Sequence, residues 1–305
     1  MLLLEAILLT VIVASTPLLL AAIGELVVER SGVLNLGVEG MMIMGAAVGI
    51  VAAITTGSSA LGVAAAVAAG MAMAAIFGAL TLGLAANQVA AGLALSILGI
   101  GLSGVVGAGF VGVPREGIGQ IALPLLSDIP FIGPVLFRQD PVVYASFALV
   151  AGVSWFLWRT RAGLVLRACG ENPASAHALG YLVLRIRFLA VLFGGACAGL
   201  AGAYLSLVMT PFWSSGMTAG RGWIALAIVV FASWLPWRAA LGAYLFGGVT
   251  ILQLHAQGAG VPLPTQLLAA LPYLITILVL VLIMALRRGG GGGPQSLGTP
   301  FVPDR

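Results

Sequence analysis

From Gly40 through Pro114 the chain carries no charged residue. A stretch of that length suffices for about three membrane crossings at roughly 20 residues each. No soluble core needs so much apolar sequence, so the run commits the chain to lipid. Glycines recur inside it, and in a membrane small residues let helix backbones approach closely. The whole sequence agrees: 61% of its 305 residues are hydrophobic, 7% are charged, 43 are glycine, and mean hydropathy is +1.16. The expected fold class is all-α, a polytopic helical membrane protein.

The hydropathy pattern places spans near 6–27, 36–56, 60–86, 88–108, 141–158, 188–210, 222–236, 239–254 and 266–286. That makes nine transmembrane helices, with eight to ten allowed, because Gly-rich broken segments can be re-entrant. Met1–Leu4 followed by Glu5 lacks the basic region of a cleaved signal peptide, so the first span is read as retained. Residues 1–288 form one transmembrane domain. Arg287-Arg288, five glycines, Pro294 and a polar run make 289–305 a flexible cytoplasmic tail.

Charge orients these spans. Five of the thirteen basic residues, all arginines, fall between Arg159 and Arg187. Arg-rich short loops stay in the cytoplasm, so 159–187 is read as a cytoplasmic loop. Arg30, Arg238, Arg287 and Arg288 then share that side, and Arg115, Arg138 and Arg221 are left outside or in a cavity. Nine crossings put the N-terminus outside. The net charge of +4 reflects these loops and implies no nucleic-acid partner.

Within the loop runs Gly170-Glu171-Asn172-Pro173-Ala174-Ser175-Ala176-His177-Ala178-Leu179-Gly180-Tyr181. Asn172 can cap orphan N–H groups, Pro173 suits the first helical position, and Gly180 can adopt the left-handed conformation that ends a helix. About two turns are specified, too short to span and offered to a cytoplasmic partner. The chain has no lysine, hence neither a Schiff base nor the lysine of a P-loop. ATP-driven work would reside on another chain. Cys169 and Cys197 make no convincing disulfide, and His177 and His255 lie apart without ligand spacing. No metal and no cofactor are expected.

Two Gly-rich breaks interrupt the apolar pattern, Glu29–Gly40 in one half and Ser214–Trp223 in the other. Irregular backbone at membrane depth persists only where it lines a cavity or is buried in protein, and paired breaks in two halves often flank a substrate path. The alternative is an ordinary interfacial turn. Asn35, Glu39, Asn87 and Gln88 are polar residues beside long apolar runs, so they face a cavity or one another, and Glu39 could instead pair with Arg30. Trp213 and Trp223 offer flat surfaces for stacking, although tryptophans near helix ends more often anchor at interfaces. Gln253 lies beside His255 and Gln257, where a polar vestibule would explain all three. The external stretch Gly109–Asp140 is long enough to be either a cap over helix ends or a platform for an extracytoplasmic partner.

Four co-linear motifs carry a resemblance: Glu29-Arg30-Ser31-Gly32-Val33-Leu34-Asn35-Leu36-Gly37-Val38-Glu39-Gly40-Met41-Met42, the pair Asn87-Gln88, Gly170-Glu171-Asn172-Pro173, and Met217-Thr218-Ala219-Gly220-Arg221-Gly222. In order and spacing, from about residue 15 to 290, the chain resembles permease subunits of ABC importers. The branch is the branched-chain amino acid/ribose-type permease family and, within it, importers of nucleosides and simple sugars. The resemblance implies a translocation subunit rather than an enzyme, with ATP hydrolysed on a separate cytoplasmic ATPase. It further implies a second related permease or a second copy of this chain, an extracytoplasmic substrate-binding protein, and a place in the bacterial inner membrane. Glu171, Asn172, Pro173, Ala176, His177 and Gly180 would couple to the ATPase. Asn35, Glu39, Asn87, Gln88, Trp213, Trp223 and Gln253 would line the substrate path. The Gly-rich tail and Pro236-Trp237-Arg238 depart from the family pattern.

Other classes fit less well. An ion-coupled secondary transporter would use in-span acids, here only Glu39 and Glu25 or Glu29, and has no need of a capped cytoplasmic helix. A membrane-embedded enzyme would need a cluster such as two histidines with a carboxylate.

Overall fold

Glycine sets how closely the central helices meet. The computed structural model describes residues 2–122, 124, 127, 129, 130, 132–259, 264, 266, 267, 270, 271, 274, 275, 277, 278, 281 and 292–303. At its centre α2 (Val38–Thr56), α3 (Ser59–Gly78) and α9 (Val183–Tyr204) cross through small residues. A Cβ built on Gly70 would strike the Gly195 carbonyl, one on Gly199 the Ala66 carbonyl, and one on Gly202 the Met42 carbonyl. Apolar area cannot drive association in lipid, so such backbone contact is the main source of packing energy there.

Around this centre stand α1 (Leu2–Arg30), α4 (Gln88–Gly107), α6 (Pro141–Arg159) and α11 (Pro236–Gly258). Gly40 and Gly99 allow α4 onto α2, and Gly247 admits α11 beside Ser15 of α1. α3 and α9 each finish in a π-helical turn, Ala79–Gly83 and Leu205–Met209. Arg30, the 159–187 segment and the start of α11 lie at one end, called here the arginine-rich end. The opposite end holds the α2–α3 turn and the stretch after α4. There Arg115 reaches Ser59 Oγ at 3.0 Å and the Gly57 carbonyl at 3.2 Å. Short strands β1 (Ile121–Ala122) and β2 (Arg138–Gln139) pair antiparallel, with α5 (Ile132–Phe137) just before β2. Asp140 then caps α6 through the N–H groups of Val142 and Val143.

The expected count of about nine spans is not met among the described residues. Seven helices are long and apolar enough to cross a membrane. The segment expected to span at 222–236 forms α10, Arg221–Phe231, of 11 residues. At 1.5 Å per residue it measures about 16 Å, roughly half the hydrocarbon thickness. Its composition matches that of a full span, and what shortens it is backbone: Ala219 and Gly220 before it, and Ser233 and Trp234 after it, all have positive φ. The last expected span, 266–286, falls largely outside the described residues.

Two further differences lie at the arginine-rich end. Residues 159–187 do not form a loop with one short helix but two helices, α7 (Arg161–Glu171) and α8 (Pro173–Ala178). Thr160 caps α7 by accepting from Gly163 N at 3.0 Å. The stretch expected to be a flexible tail is docked over residues 292–303. Ser296 N donates to the Gly170 carbonyl at 3.0 Å, and Gly298 N to the Gly32 carbonyl at 3.3 Å.

Candidate functional site: the two breaks and the short helix α8

The first break begins where α1 stops. Gly32 has φ of +92°, a conformation open to glycine at little cost, and it turns the chain back along α1. Asn35 then fixes the returning strand: its N–H and its Nδ2 each donate to the Glu25 carboxylate at 3.2 Å, and its Oδ1 accepts from Gly37 N at 3.0 Å. Glu25 lies more than a helical turn before Arg30, so the break rises from the arginine-rich end into the body of the protein. Gln88, first residue of α4, accepts from Leu34 N at 2.7 Å. Its Nε2 is buried with no partner among the described residues.

The second break meets the first at Glu39. One carboxylate oxygen accepts from Thr218 Oγ1 at 2.6 Å and Gly220 N at 2.8 Å, and the other from Gly222 N at 2.7 Å. These N–H groups belong to the first turn of α10 and have no intrahelical partner. Glu39 thus sets its carboxyl group at the positive end of a half-helix, where it is only 3% exposed. Gly222 has no alternative, because a Cβ there would lie 2.6 Å from Glu39 Cα. At the far end of α10, Trp234 donates from Nε1 to Glu29, while its carbonyl accepts from Arg30 Nε and Nη2 at 3.2 and 3.1 Å. Both ends of the half-helix are thus tied to the first break or to the helix that precedes it.

The structure sorts the sequence candidates into three groups. Asn35, Glu39 and Gln88 converge on the breaks, all buried, and Glu39 pairs with α10 rather than with Arg30. Trp223 projects from the first turn of α10 and is 48% exposed, with Phe212 exposed in the preceding loop. The rest lie elsewhere. Asn87 is an exposed N-cap accepting from Ala90 N at 3.0 Å, Trp213 is fully buried against Gly107, and Gln253 is half-buried on α11. Sequence reasoning gave no structural role to Glu25, Glu29 or Trp234. The one signal for them in the sequence is the spacing of two acids, Glu25 and Glu29, one turn apart in an apolar helix.

The short capped helix expected after Glu171 forms as α8. Asn172 Oδ1 accepts from Ser175 N at 2.9 Å, Pro173 opens α8, and Gly180 stops it with φ of +87°. Glu171, Asn172, His177 and Gly180 are exposed, whereas Ala176 turns inward against Cys169 and Val183. Burial pushes the Cys169 thiol above its ordinary range, and nearby Arg187 opposes this in part.

A separate cleft of about 890 Å³ lies between α1, α6, α7 and α9, walled by residues such as Val27, Phe156, Leu166 and Phe193. All of its lining residues are apolar, so it suits hydrocarbon rather than a polar solute.

Residues 7–284 match the family described as branched-chain amino acid transport system / permease component. The chain belongs to this permease family. It is a multi-pass membrane protein and a permease subunit of an ABC transporter, a translocation component rather than an enzyme. It is 43% identical to the putative glucose ABC transporter permease protein TsgC13 of Haloferax volcanii, over 88% of each chain. It is 33% identical to the nucleoside ABC transporter permease protein NupC of Lactococcus lactis, over 99% of this chain and 98% of that one. It is also 33% identical to the guanosine ABC transporter permease protein NupQ of Bacillus subtilis, over 95% and 94%. No solved structure matches it.

Proposed function

We propose that this permease imports nucleosides across a bacterial plasma membrane. The observation that carries the reading is near end-to-end similarity to two permeases named for nucleosides and guanosine. The site chemistry agrees: exposed Trp223 and Phe212 beside the start of α10 offer flat faces for a base, and Ser214 and Ser215 in the same loop offer hydroxyls for a ribose. In this reading α8 and its flanks dock a separate ATPase, the 109–140 stretch meets an extracytoplasmic binding protein, and a second permease completes the path. Residues 1–288 are the transmembrane unit, with Asn35, Glu39, Asn87, Gln88, Trp213, Trp223 and Gln253 serving the path directly or through its walls.

A simple sugar is the second reading, favoured by the 43% identity to the putative glucose permease. Uptake of labelled guanosine, uridine and glucose by cells lacking and regaining the chain separates the two. Restored nucleoside uptake that excess glucose does not compete supports the first. Restored glucose uptake indifferent to nucleosides replaces it with the second.

A further inference from the structure

Residues 292–303 touch both α8 and the residues that follow α10. At one end Phe301 sets its ring edge-on to His177 of α8, with centroids 5.8 Å apart, and packs on the small cluster of Cys169, Ala176 and Val183. At the other, Gly293 lies beneath the Trp234 ring so closely that a Cβ would come within 2.6 Å, and the Gly292 carbonyl accepts from Arg30 at 3.4 Å. Between them the segment is fastened by Arg187, a fully buried guanidinium. Its Nη2 donates to Ser296 Oγ at 2.8 Å and to the Cys169 carbonyl at 3.2 Å, its Nε to the Ser31 carbonyl at 3.0 Å, and its Nη1 to the Thr299 carbonyl at 3.4 Å. Ser296 Oγ in turn donates to the Gly170 carbonyl. One arginine thus joins the 292–303 segment, the end of α7 and the first break.

Trp234 is a special place for such a segment to end. With Ser233 it holds a left-handed backbone that non-glycine residues rarely adopt, with φ of 57° and 52°. Strain of this kind persists only where surrounding contacts over-determine it, and it gathers at switch positions. The pair forms the joint at the arginine-rich end of α10, whose other end is held by Glu39.

We propose that residues 292–303 are a strap linking the docking helix α8 to the Ser233-Trp234 joint of α10, with Arg187 as its fastening. Displacement of α8 is then transmitted along the strap to the half-helix and the breaks. The proposal rests on the reading of α8 as the ATPase-docking element, and its test has one arm that does not.

In the first arm, backbone hydrogen exchange is followed in the purified chain in lipid nanodiscs, comparing the native sequence with Phe301→Ala, Ser296→Ala and a chain ending at residue 291. Phe301 packs on α8, so a strap predicts that Phe301→Ala speeds exchange both in α8 and at Ser233–Leu235. The expected change is about fivefold, the size of one lost aromatic contact. Faster exchange confined to α8, or no change at either place, overturns the strap. In the second arm the truncated chain is assembled with its ATPase in proteoliposomes. Basal ATP turnover is expected to hold while solute moved per ATP falls about threefold or more, and an unchanged ratio overturns the proposal. Should no ATPase assemble with the intact chain, the docking reading fails and the exchange data still decide the strap.

Discussion

Glu39 shows what one residue can do at a helix break. The acid was legible in the sequence as an isolated charge beside a long apolar run, but its partners lie 179 to 183 residues away, beyond any local pattern. In place, its carboxylate accepts from three donors, all on the second break or the first turn of α10. Glu39→Gln keeps the shape but exchanges one acceptor oxygen for a donor, leaving at least one buried N–H or hydroxyl unpaired. That is expected to cost roughly 1–3 kcal/mol, seen as a lower thermal midpoint of the purified chain and absent from the control Glu116→Gln, whose side chain is exposed. A midpoint equal to native would show that α10 is held by packing alone. Asn87 carries the same sequence signal, a polar residue beside apolar runs, and is an exposed helix cap. If it also serves the path, Asn87→Leu lowers uptake per assembled complex while basal ATP turnover stays. If it only caps α4, the amount of folded complex falls by the roughly 1 kcal/mol of a lost cap and uptake per complex does not change.

At the scale of elements, legibility followed how local the determinants are. α8 could be read because Asn172, Pro173 and Gly180 act within eight residues of one another, each through the backbone beside it. α7 is not legible as a helix because Arg161, Arg167 and Glu171 give its 11 residues the charge pattern of a cytoplasmic loop. The composition of α10 is that of a full span, although the helix has only 11 residues. The left-handed residues that end it, Ser233 and Trp234, carry no strong sequence signal for that conformation. Gly180 supplies the element-scale prediction. A Cβ there meets nothing within 4 Å, so a substitution costs only the strained backbone, about 1–2 kcal/mol for a side chain held left-handed. Gly180→Val is expected to fray α8 while leaving expression and basal ATP turnover near native and reducing solute-stimulated turnover. Gly180→Asn, which tolerates the conformation, should retain most of the stimulation. Equal stimulation in the native and Val chains would remove α8 from the coupling route.

For the whole molecule, seven of the expected spans appear within a few residues of where hydropathy put them, because burial in lipid is a property of long runs and needs no knowledge of partners. What hydropathy could not supply is which runs fold back short and where polar ends settle, since both depend on contacts between distant segments. The 292–303 segment illustrates this: its glycines and polar residues suggest freedom, and its order comes from Arg187, Arg30 and Gly170. Orientation is the remaining global property, and it rests on where the arginines lie. Arg30, the 159–187 segment and Arg238 gather at one end, while Arg115 and Arg138 lie at the other. The positive-inside rule then predicts α8 in the cytoplasm and the α2–α3 turn outside. Ser175 and Thr56 are exposed at these opposite ends. Both native cysteines are buried, and burial also raises the Cys169 thiol, which lowers its thiolate fraction at neutral pH and slows reaction with a maleimide. A membrane-impermeant maleimide applied to intact cells is therefore expected to label Thr56→Cys and spare Ser175→Cys. In inside-out vesicles the two exchange roles. Labelling of Ser175→Cys from outside intact cells would invert the orientation of every helix and place the α7–α8 face where no ATPase could reach it.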